Sequence, residues 1–267
     1  MSEILTATGR LWASIGPPGT GQPTLIWIHG AGGTRLDWPA PLRQLPGVNG
    51  IVYDLAGHGR SAGPARDTVA EHAADLVALL DALSLPDAVL AGHSLGGAIA
   101  LQTAVLAPTR VRGLVLISTA ARIPVNPSLL EATADPPALA AMTRRWFWGE
   151  DVPEAWKDVG EARIASVPAD VLRADFGAAE TYDVRAALSS ITAPALIMCG
   201  TADRGTPPSL SEALRDGLPN AEAMFFEGAG HRLPEERALE VAAAIAGWLP
   251  RVTPDRPDSS RTAHLHP

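Results

Sequence analysis

Ala88-Val89-Leu90-Ala91-Gly92-His93-Ser94-Leu95-Gly96-Gly97 carries the chain from an apolar run into a glycine-flanked serine and on into helical composition, which lasts to Leu106 and stops before Pro108. The pattern is G-x-S-x-G between a strand and a helix. A serine on so sharp a turn needs a backbone near positive φ, and only small neighbours fit beside it. The turn lifts the hydroxyl above the sheet edge. It also sets the next amide, that of Leu95, at a helix N-terminus, where a developing oxyanion is stabilised. The plain alternative is a glycine-rich turn without chemistry.

Working outward, further short apolar runs bounded by Gly and Pro lie at residues 24–29, 50–54, 113–118, 194–200 and 222–227. Runs apolar throughout suit strands buried on both faces, the mark of a parallel sheet. Residues 3–15 suit an edge hairpin turning around Gly9-Arg10. Helical spacing recurs at 68–83, where Thr68 and Glu71 make a T-x-x-E capping box, and at 234–249, which opens on Pro234. Strands alternating with helices predict an α/β fold with helices on both faces of the sheet. The alternation fails at residues 122–190, where Pro-separated helical segments predict a cap inserted into a core of residues 1–121 and 191–250. Trp146, Phe147, Trp148 and Trp156 in this insertion either line a pocket or hold the insertion together. Residues 251–267, rich in Pro, Asp, Ser and Arg, read as a flexible tail, and His264 and His266 alone make no closed metal site.

Serine is a weak nucleophile and needs a base. Of the seven histidines, His231 is best placed, in a loop between the last strand and the last helix, at the carboxyl edge where sites of open α/β sheets form. His93 lies inside the elbow, with a side chain diverging from Ser94. His58 reads as structural, and His72, on a helix, as a surface residue. The base needs an acid, and Asp203 follows the 194–200 strand. The order Ser94, Asp203, His231 is the one expected of this elbow. Asp54, the rival, precedes the serine and reads as a turn residue. His29-Gly30-Ala31-Gly32-Gly33 offers a second oxyanion donor, the Ala31 amide. Its rival reading, a dinucleotide fingerprint, wants a glycine where this chain has Arg35.

The chain has 267 residues, 46% hydrophobic and 19% charged, with a formal net charge of -8. That composition excludes global disorder and argues against nucleic acid as a partner. One cysteine, Cys199, excludes an intrachain disulfide framework and reads as inert strand packing. No run is long enough for a membrane helix, and the N-terminus lacks a signal-peptide pattern. The expectation is a cytoplasmic protein without metal or cofactor, its oligomeric state left open.

With these residues in hand, the chain resembles the α/β-hydrolase superfamily. The resemblance rests on His29-Gly30 with its glycine loop, Asp54-Leu-Ala-Gly-His-Gly-Arg-Ser61, Gly92 to Gly97, Gly200-Thr-Ala-Asp203 and Gly228-Ala-Gly-His231. It implies a mostly parallel eight-stranded sheet with a helical cap after the sixth strand. It also implies metal-free acyl transfer, with Ser94 attacking an ester, His231 as base, Asp203 orienting it, and the Ala31 and Leu95 amides holding the oxyanion. Departures narrow the choice. A serine nucleophile disfavours dehalogenases and epoxide hydrolases. Carbon–carbon hydrolases often carry Trp after the catalytic histidine, where this chain has Arg232. Haloperoxidases tend to carry an aromatic after His-Gly and Ser-Met-Gly at the elbow, against Ala31 and Ser-Leu-Gly here. The whole reads closest to small microbial carboxylesterases, with enol-lactonases nearby, acting on a small ester or lactone. Gly30, Gly32, Arg35, Trp38, His93, Arg144, Trp146 and Trp148 are pocket candidates. Arg35 or Arg144 would pair with a substrate carboxylate in a lactonase or carbon–carbon hydrolase, unless they are ordinary surface charges. Trp38 lines the acyl pocket or the core. A slow ligand-binding receptor on the same fold is the reading from another class.

Overall fold

The apolar runs become β1 (Ser2–Thr6), β2 (Gly9–Ile15), β3 (Thr24–Ile28), β4 (Asn49–Tyr53), β5 (Ala88–His93), β6 (Val111–Ile117), β7 (Ala195–Gly200) and β8 (Ala221–Phe226) in the computed structural model, which describes residues 1–16 and 21–252. They form one sheet in the order β1-β2-β4-β3-β5-β6-β7-β8. β1 pairs with β2 and β2 with β4 antiparallel; every pairing from β4 across to β8 is parallel.

The helices are α1 (Ala40–Arg43), α2 (Val69–Ala82), α3 (Leu95–Leu106), α4 (Pro127–Ala132), α5 (Pro136–Phe147), α6 (Glu154–Ala165), α7 (Ala169–Thr181), α8 (Pro208–Gly217), α9 (Leu233–Glu236) and α10 (Ala238–Val252). Alternate residues of the inner strands serve opposite layers. Ile26, Ile28, Leu90, Leu114 and Ile197 pack with α2, α3 and α8, whereas Leu25, Trp27, Val89, Val115 and Met198 pack with α1 and α10. Apolar burial on both faces is why these strands show unbroken runs rather than alternation. Thr68 caps α2 as its sequence suggests: its hydroxyl accepts from Glu71 N–H at 3.2 Å, and the Glu71 carboxylate accepts from Thr68 N–H at 3.1 Å.

Between β6 and β7 the chain leaves the sheet for α4–α7, which share a small core of Leu129, Leu139, Ile164, Leu172 and Phe176. The excursion is tied at its base, where Arg122 bridges Asp183 and Val184 N–H donates to Ala121 O at 2.9 Å.

Three expectations need correction. The last helix is broken at Arg237 into α9 and α10, because Arg237 leaves helical geometry at φ −130 and ψ 41. α10 then runs through Pro250 to Val252, so the first two residues of the expected tail are helical; the rest of it, with His264 and His266, lies outside the described residues. His72 is not at the surface. It sits one helical turn from Val69 and from Leu76, on the apolar stripe of α2, and is fully buried. Neither of its ring nitrogens has a hydrogen-bond partner among the described residues. Burial pushes its pKa down to about 4.

A histidine held neutral so far down favours the folded state above its unfolded pKa of 6.5, and that contribution is lost as pH falls from there toward 4. His72→Leu is therefore expected to shrink the drop in Tm between about pH 7 and pH 5, measured by thermal unfolding at both values.

Candidate active site

Ser94 N-caps α3 at φ 52 and ψ −118, strained for any residue with a side chain. The surroundings hold it there. Its N–H donates to Ile117 O at 2.9 Å, and its carbonyl accepts from Gly97 N–H at 2.9 Å and from the Thr119 hydroxyl at 2.8 Å. A Cβ on Gly92 would strike the Gly96 carbonyl, and one on Gly96 the Ile28 carbonyl, which is the physical reason for glycine at both places.

His231, in the loop after β8, places Nε2 3.1 Å from Ser94 Oγ. Its Nδ1 lies 3.0 Å from both carboxylate oxygens of Asp203, in the loop after β7. A carboxylate can only accept, so Nδ1 carries the proton and Nε2 turns its lone pair to the serine. Asp203 also accepts from Gly205 and Thr206 N–H, each at 2.8 Å, and from the Thr206 hydroxyl at 3.0 Å. Burial works to raise its pKa, but His231 and the Thr206 hydrogen bonds outweigh it and hold the carboxyl below its ordinary value. His93 Nε2 donates to His231 O at 2.8 Å. Burial and the neighbouring His231 push the His93 pKa down to about 3, so it serves as a neutral strut for the His231 loop.

Two amides border the same spot. Leu95 N–H, in the first turn of α3, has no intrahelical acceptor. In the loop after β3, Gly30 O accepts from His29 Nδ1 at 2.9 Å and from Gly33 N–H at 3.1 Å. In a trans peptide N–H and C=O point opposite ways, so fixing this carbonyl aims Ala31 N–H away from it. Ser94, Leu95, Ala31, Gly30, His93 and His231 all line one cavity of about 1000 Å³, counting its open mouth. Its walls are mostly apolar: Trp38, Ile123, Leu129, Phe147, Ile164 and Phe176.

Other candidates go elsewhere. Arg35 is buried beneath the loop, its guanidinium 2.6 Å from Asp54, which also accepts from Arg35 N–H at 2.8 Å and Arg60 N–H at 3.0 Å. Arg144 points to the outer side of the insertion, bound by Glu154, Asp158 and Glu161. Neither arginine lines the cavity. Trp148 stacks under Arg232, Trp146 packs in the insertion's own core, and neither reaches the cavity either. Trp38 does both things expected of it: it lines the cavity and packs on Trp27, with ring centroids 4.8 Å apart. Gly32 lies behind the cavity, its N–H given to Asp175. Cys199 is buried, with its pKa pushed up to about 12 by burial and by Asp203.

Of the insertion's four aromatics weighed as pocket residues, Phe147 is the one that lines the cavity, its ring 4.6 Å from the His231 ring, and sequence reasoning passed over Thr206. Phe147 lies one turn beyond the buried Thr143 and two beyond Leu139, but Trp146, three and seven positions beyond the same residues, shares that face of α5, so spacing alone does not separate them. Thr206 stands three residues after an acid in a turn sequence, the usual place for a hydroxyl that bonds an Asp side chain.

Among the described residues no group of three His, Cys, Asp or Glu is arranged to hold a metal ion, and no helix is long and apolar enough to cross a membrane. Residues 25–244 match the model of the alpha/beta hydrolase family. The chain is 31% identical over 256 residues, 88% of its length and 94% of the relative's, to a Variovorax paradoxus protein named "Putative carbamate hydrolase RutD". A thermophilic esterase from Thermogutta terrifontis, solved with malate bound, superposes with a TM-score of 0.83 at 28% identity, covering 94% of this chain and 98% of that one. The enol-lactonase from Burkholderia xenovorans LB400 shares the fold, with a TM-score of 0.86 at 23% identity over 93% of this chain and 99% of that one.

Asp54→Ala would strand the buried Arg35 charge. It is expected to lower stability by about 3–5 kcal/mol, read by urea denaturation.

Proposed function

The chain belongs to the alpha/beta hydrolase family, and from that premise we propose that it is a serine carboxylesterase acting on small, uncharged esters. The observation that carries this reading is the contact of Ser94 Oγ with His231 Nε2 at 3.1 Å on the floor of an apolar cavity. Ser94 Oγ attacks the ester carbonyl carbon while His231 Nε2 takes its proton. The carbonyl oxygen becomes an oxyanion held by the Leu95 and Ala31 amides. Asp203 stabilises the imidazolium that forms and keeps its tautomer. Collapse of the tetrahedral intermediate breaks the ester C–O bond, and His231 returns the proton to the departing alcohol. Water, activated by the same histidine, then attacks the acyl-enzyme and releases the acid and the free serine. Neither metal nor cofactor enters any step.

The helices α4–α7 act as the cap in this reading, because Leu129, Phe147, Ile164 and Phe176 supply the cavity's upper wall. The commitment of Arg35 to Asp54 and of Arg144 to the outer acids removes the two cations proposed to recognise a substrate carboxylate. Arg232, the arginine that does line the cavity, is paired with Glu235, and together these pairings favour uncharged acyl and alcohol groups over dicarboxylate substrates. A carbamate, the substrate class in the Variovorax relative's name, offers the same kind of carbonyl and belongs in the assay. The reading places the work in the cytoplasm, on a small molecule.

Hydrolysis of p-nitrophenyl acetate, butyrate and octanoate, of a lactone panel and of a p-nitrophenyl carbamate, without added metal, tests the proposal. Ester turnover should be fastest, and Ser94→Ala and His231→Ala should each abolish it while leaving Tm near that of the wild type. Asp203→Asn should lower kcat by about 10⁴-fold through the wrong histidine tautomer. Arg144→Ala should leave kcat/KM for these esters unchanged. Ester turnover that survives Ser94→Ala would overturn the assignment. A folded wild type inert toward every substrate would favour a ligand-binding receptor.

A further inference from the structure

The loop that would hold the oxyanion is fastened to the inserted helices as well as to the sheet. Asp175, fully buried on α7, accepts Gly32 N–H at 2.7 Å and His58 Nε2 at 2.8 Å, both through Oδ2. His58 Nδ1 lies 3.0 Å from Ala56 O. Each ring nitrogen of His58 thus faces an oxygen that has no proton to give, so both nitrogens must donate. His58 is an imidazolium, and it forms a buried ion pair with Asp175 across the gap between the loop after β4 and the insertion. Gly32 stands at φ +63, and a Cβ there would run into Leu172, one turn before Asp175 on α7. The helix therefore rests directly on the loop.

Ala31 N–H lies between two peptide groups. The one that contains it is fixed through Gly30 O by His29, which is itself held by Leu55 N–H on Nε2 at 3.0 Å. The next one is fixed through Gly32 N–H by Asp175. We propose that Asp175, paired with His58, is a positioning residue for the Ala31 donor, and that seating α7 on Gly32 is the event that completes the oxyanion hole. The inference rests on the serine-hydrolase reading of the site. It follows that lifting α7 from Gly32 releases the oxyanion loop, whereas none of the contacts among Ser94, His231 and Asp203 runs through α7, so that bond cleavage is confined to the seated state.

The test is kcat, KM and Tm with p-nitrophenyl butyrate for the wild type, Asp175→Ala, Asp175→Asn, the double variant His58→Leu/Asp175→Leu, and Ser94→Ala. Asp175→Ala leaves a buried cation unpaired and is at risk of not folding. The double variant removes both charges at similar bulk and keeps the question answerable. The expected result is a fall in kcat of about 100-fold in the folded variants that lack an acceptor at position 175, as for the loss of one oxyanion donor. KM should stay within about threefold of the wild type. Asp175→Asn, whose amide oxygen still accepts from Gly32 N–H, should recover part of the loss. A double variant that unfolds cooperatively yet keeps the wild-type kcat, or raises KM alone, would overturn the positioning role. Activity surviving in Ser94→Ala would instead remove the reading of the site on which that role depends.

Discussion

Everything at the carboxyl edge of the sheet is arranged around Ser94 at φ 52. A side chain in that region of backbone space is unfavourable by about 1–3 kcal/mol and persists only where the surroundings over-determine it. Here β5 arrives between β3 and β6 with five of its six residues buried, and α3 departs with nine of its twelve residues buried. Strand and helix leave the chain no room to relax between them. The glycines on both sides, the Thr119 hydroxyl on the Ser94 carbonyl and the adjacency of the β3 loop all follow from holding that one turn. The hydroxyl is thereby raised to where loops from β7 and β8 can meet it.

The sheet, the elbow and the set Ser94, His231 and Asp203 were legible because each is written locally. Unbroken apolar runs mark doubly buried strands, and a serine between small residues marks a turn that only small residues permit. What the sequence left hidden depends on phase and partner. Trp146, Phe147 and Trp148 stand together in the sequence, yet of the three Phe147 reaches the cavity, while Trp146, on the same buried face of α5, packs in the insertion's own core. His72 looks like a surface residue until its position on the stripe with Val69 and Leu76 is counted. Arg35 follows the glycine loop and looks ready for a ligand, but Asp54, nineteen positions on, already holds it. Asp175 carries no local pattern at all; its importance comes from a contact with Gly32 across 143 positions.

The histidines near the site show how partners decide charge inside a protein. His29 accepts from Leu55 N–H and donates to Gly30 O, a pairing that suits a neutral ring, and burial beside cationic His58 takes its pKa to about 4. His93 gives one proton to a carbonyl and is likewise neutral. His58 meets two acceptors, one of them a carboxylate, and its pKa is raised although burial works against it. One side-chain type thus fills three roles within a few ångströms, each fixed by the count of donors and acceptors around it.

The bridge between Arg122 and Asp183 has a consequence for how such a protein can change over generations. The chain leaves the sheet and returns to it at neighbouring points, so the intervening segment is a closed loop as far as the strands are concerned. Loop closure depends only weakly on loop length. Insertions, deletions or wholesale replacement beyond that neck leave the pairing of β6 with β7 untouched. The scaffold can therefore acquire new selectivity by exchanging one module, with inherited obligations on any newcomer: it must present acceptors to the Gly32 amide, to His58 and to the Arg232 amide, which now donates to Phe147 O at 3.1 Å.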